Sequence, residues 1–147
     1  MQSNIDQFDD VTAKTFAYLY ESFPVPAFLL VERFGVMIDV EAYPLGDSVK
    51  EADFWVACWD WLIAAGYMYA GDRIRPVGFS DVVLTAKGLE VLKAVPSSLS
   101  NGQTVGDQIV AGLKSGALDA VKDGVKLALS RGAEMVPWAA LAHQAFK

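Results

Sequence analysis

The most constraining feature of this sequence is the segment 48–66, which is apolar around almost its whole circumference when drawn as a helix. At 100° per residue only Ala57, Asp60 and Ala64 remain as a solvent-facing strip. An S-x-x-E pattern at Ser48 and Glu51 predicts a capping box at its start. The apolar positions are Phe54, Trp55, Val56, Cys58, Trp59, Trp61, Leu62, Ile63 and Ala65. A helix of this kind is buried in its own core or against a partner.

A hairpin and a second helix follow this segment. Gly66 predicts the C-terminal end of the first helix, because glycine readily adopts the left-handed conformation found there. Residues 67–69 and 79–85 are predicted as the two strands, since turn residues fill the loop between them. Thr85 is predicted as the N-cap of a helix that Pro96 terminates. The segment 48–93 is therefore predicted as helix, hairpin and helix.

Two short patterns in this segment resemble those of winged-helix regulators of the MarR and PadR kind. The matching residues are Leu62 and Gly66 at the end of the first helix, and Leu84-Thr85-Ala86-Lys87-Gly88 at the start of the second. The resemblance implies a winged helix-turn-helix-like fold, mainly α with a small β-hairpin. It also implies a DNA-binding activity, in which the helix 48–66 would lie in the major groove.

The side chains disfavour that activity. A helix that reads DNA needs polar and basic residues on its outer face, yet Lys50 is the single cation in this one, against Glu51, Asp53 and Asp60. The net charge is −6, and residues 1–100 carry seven Lys and Arg against fourteen Asp and Glu. Such a balance repels a phosphate backbone. The candidate nucleic-acid contacts are Arg73 and Arg75 at the wing tip, together with Lys50.

The regions before and after this segment differ in how clearly their patterns indicate secondary structure. Residues 4–21 show one apolar helical face, formed by Ile5, Phe8, Thr12, Thr15, Phe16 and Leu19. Residues 27–45 combine helical and alternating patterns, so helix and strand both remain open. The segment 97–103 has the composition of a linker. It divides a winged-helix-like domain, 1–96, from a helical extension, 104–147.

The extension is predicted to begin with one long helix over 104–131, started by a capping box at Thr104 and Asp107. Two apolar stripes run along it, and Leu118 and Val125 belong to the second. The two stripes predict two neighbours for this helix, its own domain and a second copy, and the sequence leaves open whether it packs in cis or in trans. Glycines at 112, 116 and 124 indicate close helix packing or a break.

No catalytic, metal or cofactor site is predicted. Cys58 is the single cysteine and His143 the single histidine, which is too few for a disulfide framework or a typical zinc site. Cys58 lies in the middle of an apolar helix, so a buried, inert thiol is the expected state. The longest uncharged apolar run, 25–31, is far shorter than the ~20 residues of a membrane span. A cytoplasmic location is the default expectation.

These observations predict a non-enzymatic protein-interaction module that forms a homo-oligomer, with a dimer as the simplest form. Three tryptophans on different sides of one helix cannot all face a single core. The candidate interface residues are Trp55, Trp59, Leu118 and Val125. A DNA-binding transcriptional regulator of winged-helix type is the alternative, supported by the resemblance and by Arg73 and Arg75.

Overall fold

A computed structural model describes residues 2–94 and 102–135. Within these ranges the protein is mainly α-helical and has one small antiparallel sheet, as the sequence predicts. The elements in chain order are α1 (Asn4–Ser22), β1 (Ala27–Leu30), a 3₁₀ helix (Val31–Phe34), α2 (Asp47–Ala64), β2 (Met68–Tyr69), β3 (Arg73–Ile74), β4 (Gly78–Leu84), α3 (Ala86–Lys93), α4 (Val105–Ser115) and α5 (Leu118–Glu134).

The sheet is organised around β4. β1 and β2 pair with it in the order β1-β4-β2, and the short β3 also pairs with it, all antiparallel. The predicted hairpin is confirmed, with Met68 opposite Leu84. The undecided region 27–45 begins as a strand, continues as a 3₁₀ helix and then forms turns up to α2. β1 brings the first part of the chain onto the same sheet as the hairpin.

One buried cluster unites all the larger elements. Phe16 of α1, Trp59 of α2, Leu92 of α3, Ile109 of α4 and Val125 of α5 belong to it, and each has no exposed surface. The α4–α5 hairpin packs on α1 and α3. The C-terminal helices therefore pack in cis and share their core with the region predicted as a separate domain.

The single long helix predicted over 104–131 is wrong, because the structure has two helices there. Gly116 adopts a left-handed backbone with φ of 78°, which ends α4, and α5 begins two residues later. The capping box at Thr104 and Asp107 is confirmed. Gly112 and Gly124 serve close packing, since an added Cβ would approach Val121 and Ile109 respectively to 2.6 Å.

The capping box predicted at Ser48 is also wrong. α2 begins at Asp47, with Gly46 as N-cap and no side-chain cap, so Ser48 already lies inside the first turn. The Ser48 Oγ instead accepts a hydrogen bond from the backbone N–H of Asp39, at 3.0 Å. The end of α2 is as predicted, because Gly66 has φ of 88°.

Several predictions fall on residues outside the described ranges. These are Pro96, most of the linker 97–103, and residues 136–147 with His143. Within residues 2–94 and 102–135, the helices are too short or too polar to cross a membrane.

Candidate functional site

The Leu84–Gly88 motif fixes the C-terminal end of α2 against the start of α3. The Thr85 hydroxyl donates to the carbonyl oxygen of Gly66 and accepts from the N–H of Gly88. The Lys87 ammonium donates to the carbonyl of Ala65 at 2.7 Å and lies 4.4 Å from the centre of the Tyr67 ring. A cation here also complements the negative end of the helix dipole. The motif thus sets how α2 sits on the sheet, and which of its faces points outward.

The inward face of α2 is an aromatic layer. The Trp59 indole N–H donates to the hydroxyl of Thr15 at 2.9 Å, which itself donates to the carbonyl of Val11. Trp55 stacks on Phe34 with ring centres 5.0 Å apart. Both tryptophans therefore make their contacts within their own chain.

The outward face of α2 borders an apolar groove. A cavity of about 410 Å³ lies between the first two turns of α1 and the middle of α2. Trp61 is 52% exposed and Ile5 is 70% exposed, although both are large apolar side chains. The cavity is lined by Asn4, Ile5, Phe8, Phe54, Ala57, Cys58 and Trp61, and we call it the α1–α2 groove. Contiguous exposed apolar surface of this kind marks interaction sites.

Aromatic contacts define the shape of the groove. Phe8 and Trp61 meet edge to face, with ring centres 5.3 Å apart across the gap between the two helices. Behind them, Tyr67 stacks on Trp61 at 6.4 Å. The groove is consequently a preformed feature of packed helices.

Three aspartates stand next to these aromatics in the sequence, but none of them lines the groove. Asp9 follows Phe8, Asp53 precedes Phe54 and Asp60 precedes Trp61, so each aromatic lining residue has an aspartate beside it in the sequence. The pKa of Asp9 is raised, first by burial and then by Asp6, while Lys126 and Lys122 of α5 act in the opposite direction. Asp60 is paired with Arg73 and Asp53 lines a different hollow, so the groove itself is lined by uncharged side chains.

Cys58 is the one ionisable side chain among the residues that line the groove. Cys58, at its floor, is 5% exposed, and burial raises the pKa of the thiol to about 11, so it stays protonated and weakly nucleophilic. The residues of 2–94 and 102–135 contain no cluster of three His, Cys, Asp or Glu side chains able to hold a metal ion. Its lining suits contact with an apolar surface.

The predicted nucleic-acid contacts do not converge on one site. Arg73 forms an ion pair with Asp60 at 2.5 Å, and its guanidinium lies 4.9 Å from the centre of the Phe79 ring. Arg75 is exposed and lines the same hollow as Arg73, whereas Lys50 lines a different one. The acid partner reduces the positive charge that Arg73 would offer a phosphate.

The interface predictions need correction. Trp59 and Val125 have no exposed surface and Trp55 is 7% exposed, so these three have little or nothing to offer a second copy. Val125 lies in the core because α5 packs on α1 and α3. Trp55 and Trp59 lie in the aromatic layer, where they contact Phe34 and Thr15 respectively. Leu118, at the start of α5, is 62% exposed and keeps the surface that the prediction requires.

Sequence reasoning did not single out Trp61, Ile5 and Phe8 as a common surface. The argument that one tryptophan of this helix must lie outside the core does apply to Trp61. Periodicity places apolar residues on a face but does not say whether another element covers it. Ile5 and Phe8 share their face with Thr12 and Phe16, which are buried, so the exposed end looks like the buried end in the sequence.

Comparison with known proteins gives no match for this chain. No family model matches it, and no curated protein or solved structure is significantly similar to it.

Proposed function

We propose that this protein is a non-enzymatic interaction module of winged-helix type, which binds an apolar helix face in the α1–α2 groove. The observation that carries the proposal is the position of Trp61, half exposed on the outward face of α2 above an apolar cavity. A second copy of the chain is the partner that the homo-oligomer prediction names. Insertion of an amphipathic helix into a groove is a common mode of recognition.

The order of the elements supports the winged-helix part of the proposal. A strand between the first two helical segments joins a hairpin in the order β1-β4-β2, and α2 directly precedes that hairpin. α2 then corresponds to the helix that reads DNA in winged-helix regulators, and the segment around β3 corresponds to the wing. On this chain the corresponding outward face carries Ala57, Trp61 and aspartates in place of basic residues.

The energetics favour an apolar partner over a polar one. Burying a large apolar side chain contributes about 1.5–3 kcal/mol when its whole surface is removed from water. Ile5 and Trp61 each keep more than half of their surface exposed, so each retains a substantial part of that energy for binding. Tryptophan is enriched among the residues that carry most of the binding energy near the centres of interfaces.

Sedimentation velocity over a concentration series tests the proposal. We expect the wild-type chain to associate at high concentration and the variant Trp61→Asp to associate much less. Tyr69→Asp is the matched control, because Tyr69 is 63% exposed but does not line the groove. The variant Leu118→Asp tests whether association instead uses the surface predicted at the start of α5. Equal association of Trp61→Asp and wild type would exclude the groove as the contact surface.

DNA binding is the second candidate, and the exposed Arg75 beside β3 is the observation that favours it. Arg75 is exposed in the segment that would correspond to the wing. A mobility-shift experiment with mixed genomic DNA at about 50 mM salt gives phosphate contacts their best conditions. Binding that Arg75→Ala weakens would support this function, and no shift at that salt concentration would exclude it.

A further inference from the structure

We propose that residues 136–147 of the same chain dock in the α1–α2 groove and compete there with the partner. The inference rests on the proposed function in one respect, since it treats the groove as a site for an apolar helix. It adds regulation, because a partner must displace an internal ligand to bind.

The first argument is where the described chain ends. α5 ends at Glu134, and Met135 packs against the core cluster. One turn earlier, Gly132 lies against Tyr67 so closely that an added Cβ would be 2.0 Å from the Tyr67 hydroxyl oxygen. Tyr67 also stacks on Trp61, which lines the groove. The last turn of α5 is therefore separated from Trp61 by one aromatic side chain.

The second argument is the sequence that follows. In residues 136–147, VPWAALAHQAFK, apolar residues stand at positions i, i+3, i+4, i+7 and i+8, counted from Trp138. This spacing is typical of an amphipathic helix. Pro137 directly precedes the pattern, where the first turn of a helix accepts proline. The apolar set is Trp138, Leu141, Ala142, Ala145 and Phe146.

Length and charge agree with this occupant. Residues 136–147 would extend roughly 18 Å as a helix, enough to run beside three turns of α1. The segment contains no Asp or Glu, and its Lys147 and His143 fall outside the apolar set. The residues that line the groove are uncharged as well, so the apolar set of the segment would meet an apolar surface.

Connectivity favours docking in cis. A segment joined by a short linker reaches an effective concentration of the order of millimolar. A separate partner with comparable contacts competes only near that concentration, or when it binds more tightly. The docked segment consequently lowers the apparent affinity of the groove for other helices.

Hydrogen exchange with mass spectrometry on the full chain tests the inference. We expect the amides of residues 138–147 to exchange at least tenfold more slowly than in an unprotected peptide. The variants Leu141→Asp and Ile5→Asp should remove that protection from opposite sides of the contact. His143→Asp is the matched control, since it makes a similar charge change outside the apolar set. Ile5 is 70% exposed and lies outside the buried core, so its variant leaves the core packing unchanged.

Three outcomes would overturn the inference. These are exchange of residues 138–147 at the unprotected rate in the wild-type chain, unchanged protection in Ile5→Asp, and loss of protection on dilution. The last would show that the segment docks on another copy. Protection that persists at every concentration and is lost only in Leu141→Asp and Ile5→Asp would support docking in cis.

Sedimentation of Leu141→Asp separates this inference from the proposed function. Stronger association of this variant than of wild type supports both. If residues 138–147 exchange slowly in the wild-type chain and Leu141→Asp does not associate, the result supports the docked segment and counts against association through the groove. Exchange at the unprotected rate, together with association that Trp61→Asp abolishes, overturns the docked segment and keeps the proposed function.

Discussion

Gly88 offers the sharpest test of how the Leu84–Gly88 motif works, because replacing it with alanine should destabilise a helix that alanine normally favours. Gly88 lies in the first turn of α3, against the backbone of Tyr67. A Cβ at this position would be 2.1 Å from the carbonyl oxygen of Tyr67, about 1.3 Å inside ordinary contact distance. The obstacle is backbone, which cannot rotate away as a flexible side chain would.

The magnitude follows from three contributions. Helix propensity favours alanine over glycine by about 1 kcal/mol. Forcing an extra carbon into a packed site costs about 1–3 kcal/mol. If α3 moves away to relieve the overlap, the hydrogen bonds from Thr85 and Lys87 to the end of α2 are stretched. Losing each of them costs about 1 kcal/mol. We expect a net loss of about 2–4 kcal/mol.

Urea unfolding followed by circular dichroism measures this loss. The matched control is the exposed position 90 of the same helix, compared as Glu90→Ala and Glu90→Gly. There alanine should be the more stable by about 1 kcal/mol, and the weak contact of Glu90 with Lys93 is lost in both variants. If Gly88→Ala stabilised the protein as alanine does at position 90, the close approach described here would be refuted.

Three further predictions concern two buried side chains and one partly buried carboxylate. Thr15→Val should cost about 1–3 kcal/mol in urea unfolding, because it leaves the buried Trp59 N–H without an acceptor, whereas exposed Thr→Val changes do not. The raised pKa of Cys58 should slow its reaction with Ellman's reagent at pH 8 by about a hundredfold relative to the unfolded chain; equal rates would contradict its burial. The raised pKa of Asp9 means that its ionised form is disfavoured in the folded state, so stability falls as pH rises above 3.8. Asp9→Asn should therefore raise the melting temperature at pH 7 and not at pH 3, and a gain equal at both would refute this.

The parts of the fold that the sequence predicts well are those with local signals. The α1 face, the Thr85 N-cap and the turn at Gly66 depend on residues close together in the chain, and the structure confirms them. Ser48 shows the limit of such signals. Its S-x-x-E pattern is sound as a cap, but the N-cap is Gly46, two residues earlier, and the Ser48 hydroxyl accepts from the backbone N–H of Asp39.

The surface was less predictable, because exposure depends on contacts between distant segments. Trp59 and Trp61 are two residues apart in an apolar helix, yet one is fully buried and the other half exposed. The difference arises from α1, which crosses α2 so that Thr15 meets Trp59, while only the edge of Phe8 reaches Trp61. No pattern within residues 48–66 contains that information.

Tyr67 has a consequence for how the protein unfolds. Its ring contacts Phe16 of α1 at 5.7 Å, stacks on Trp61 of α2 and supports Lys87 of α3, while its hydroxyl donates to the carbonyl of Leu129 in α5. A side chain shared by four helices couples their stabilities, so none of them can detach without loss to the others. We therefore expect one cooperative thermal transition with equal calorimetric and van't Hoff enthalpies. Cleavage within the segment 95–101 would then yield two pieces that remain associated, rather than an independently folded N-terminal module.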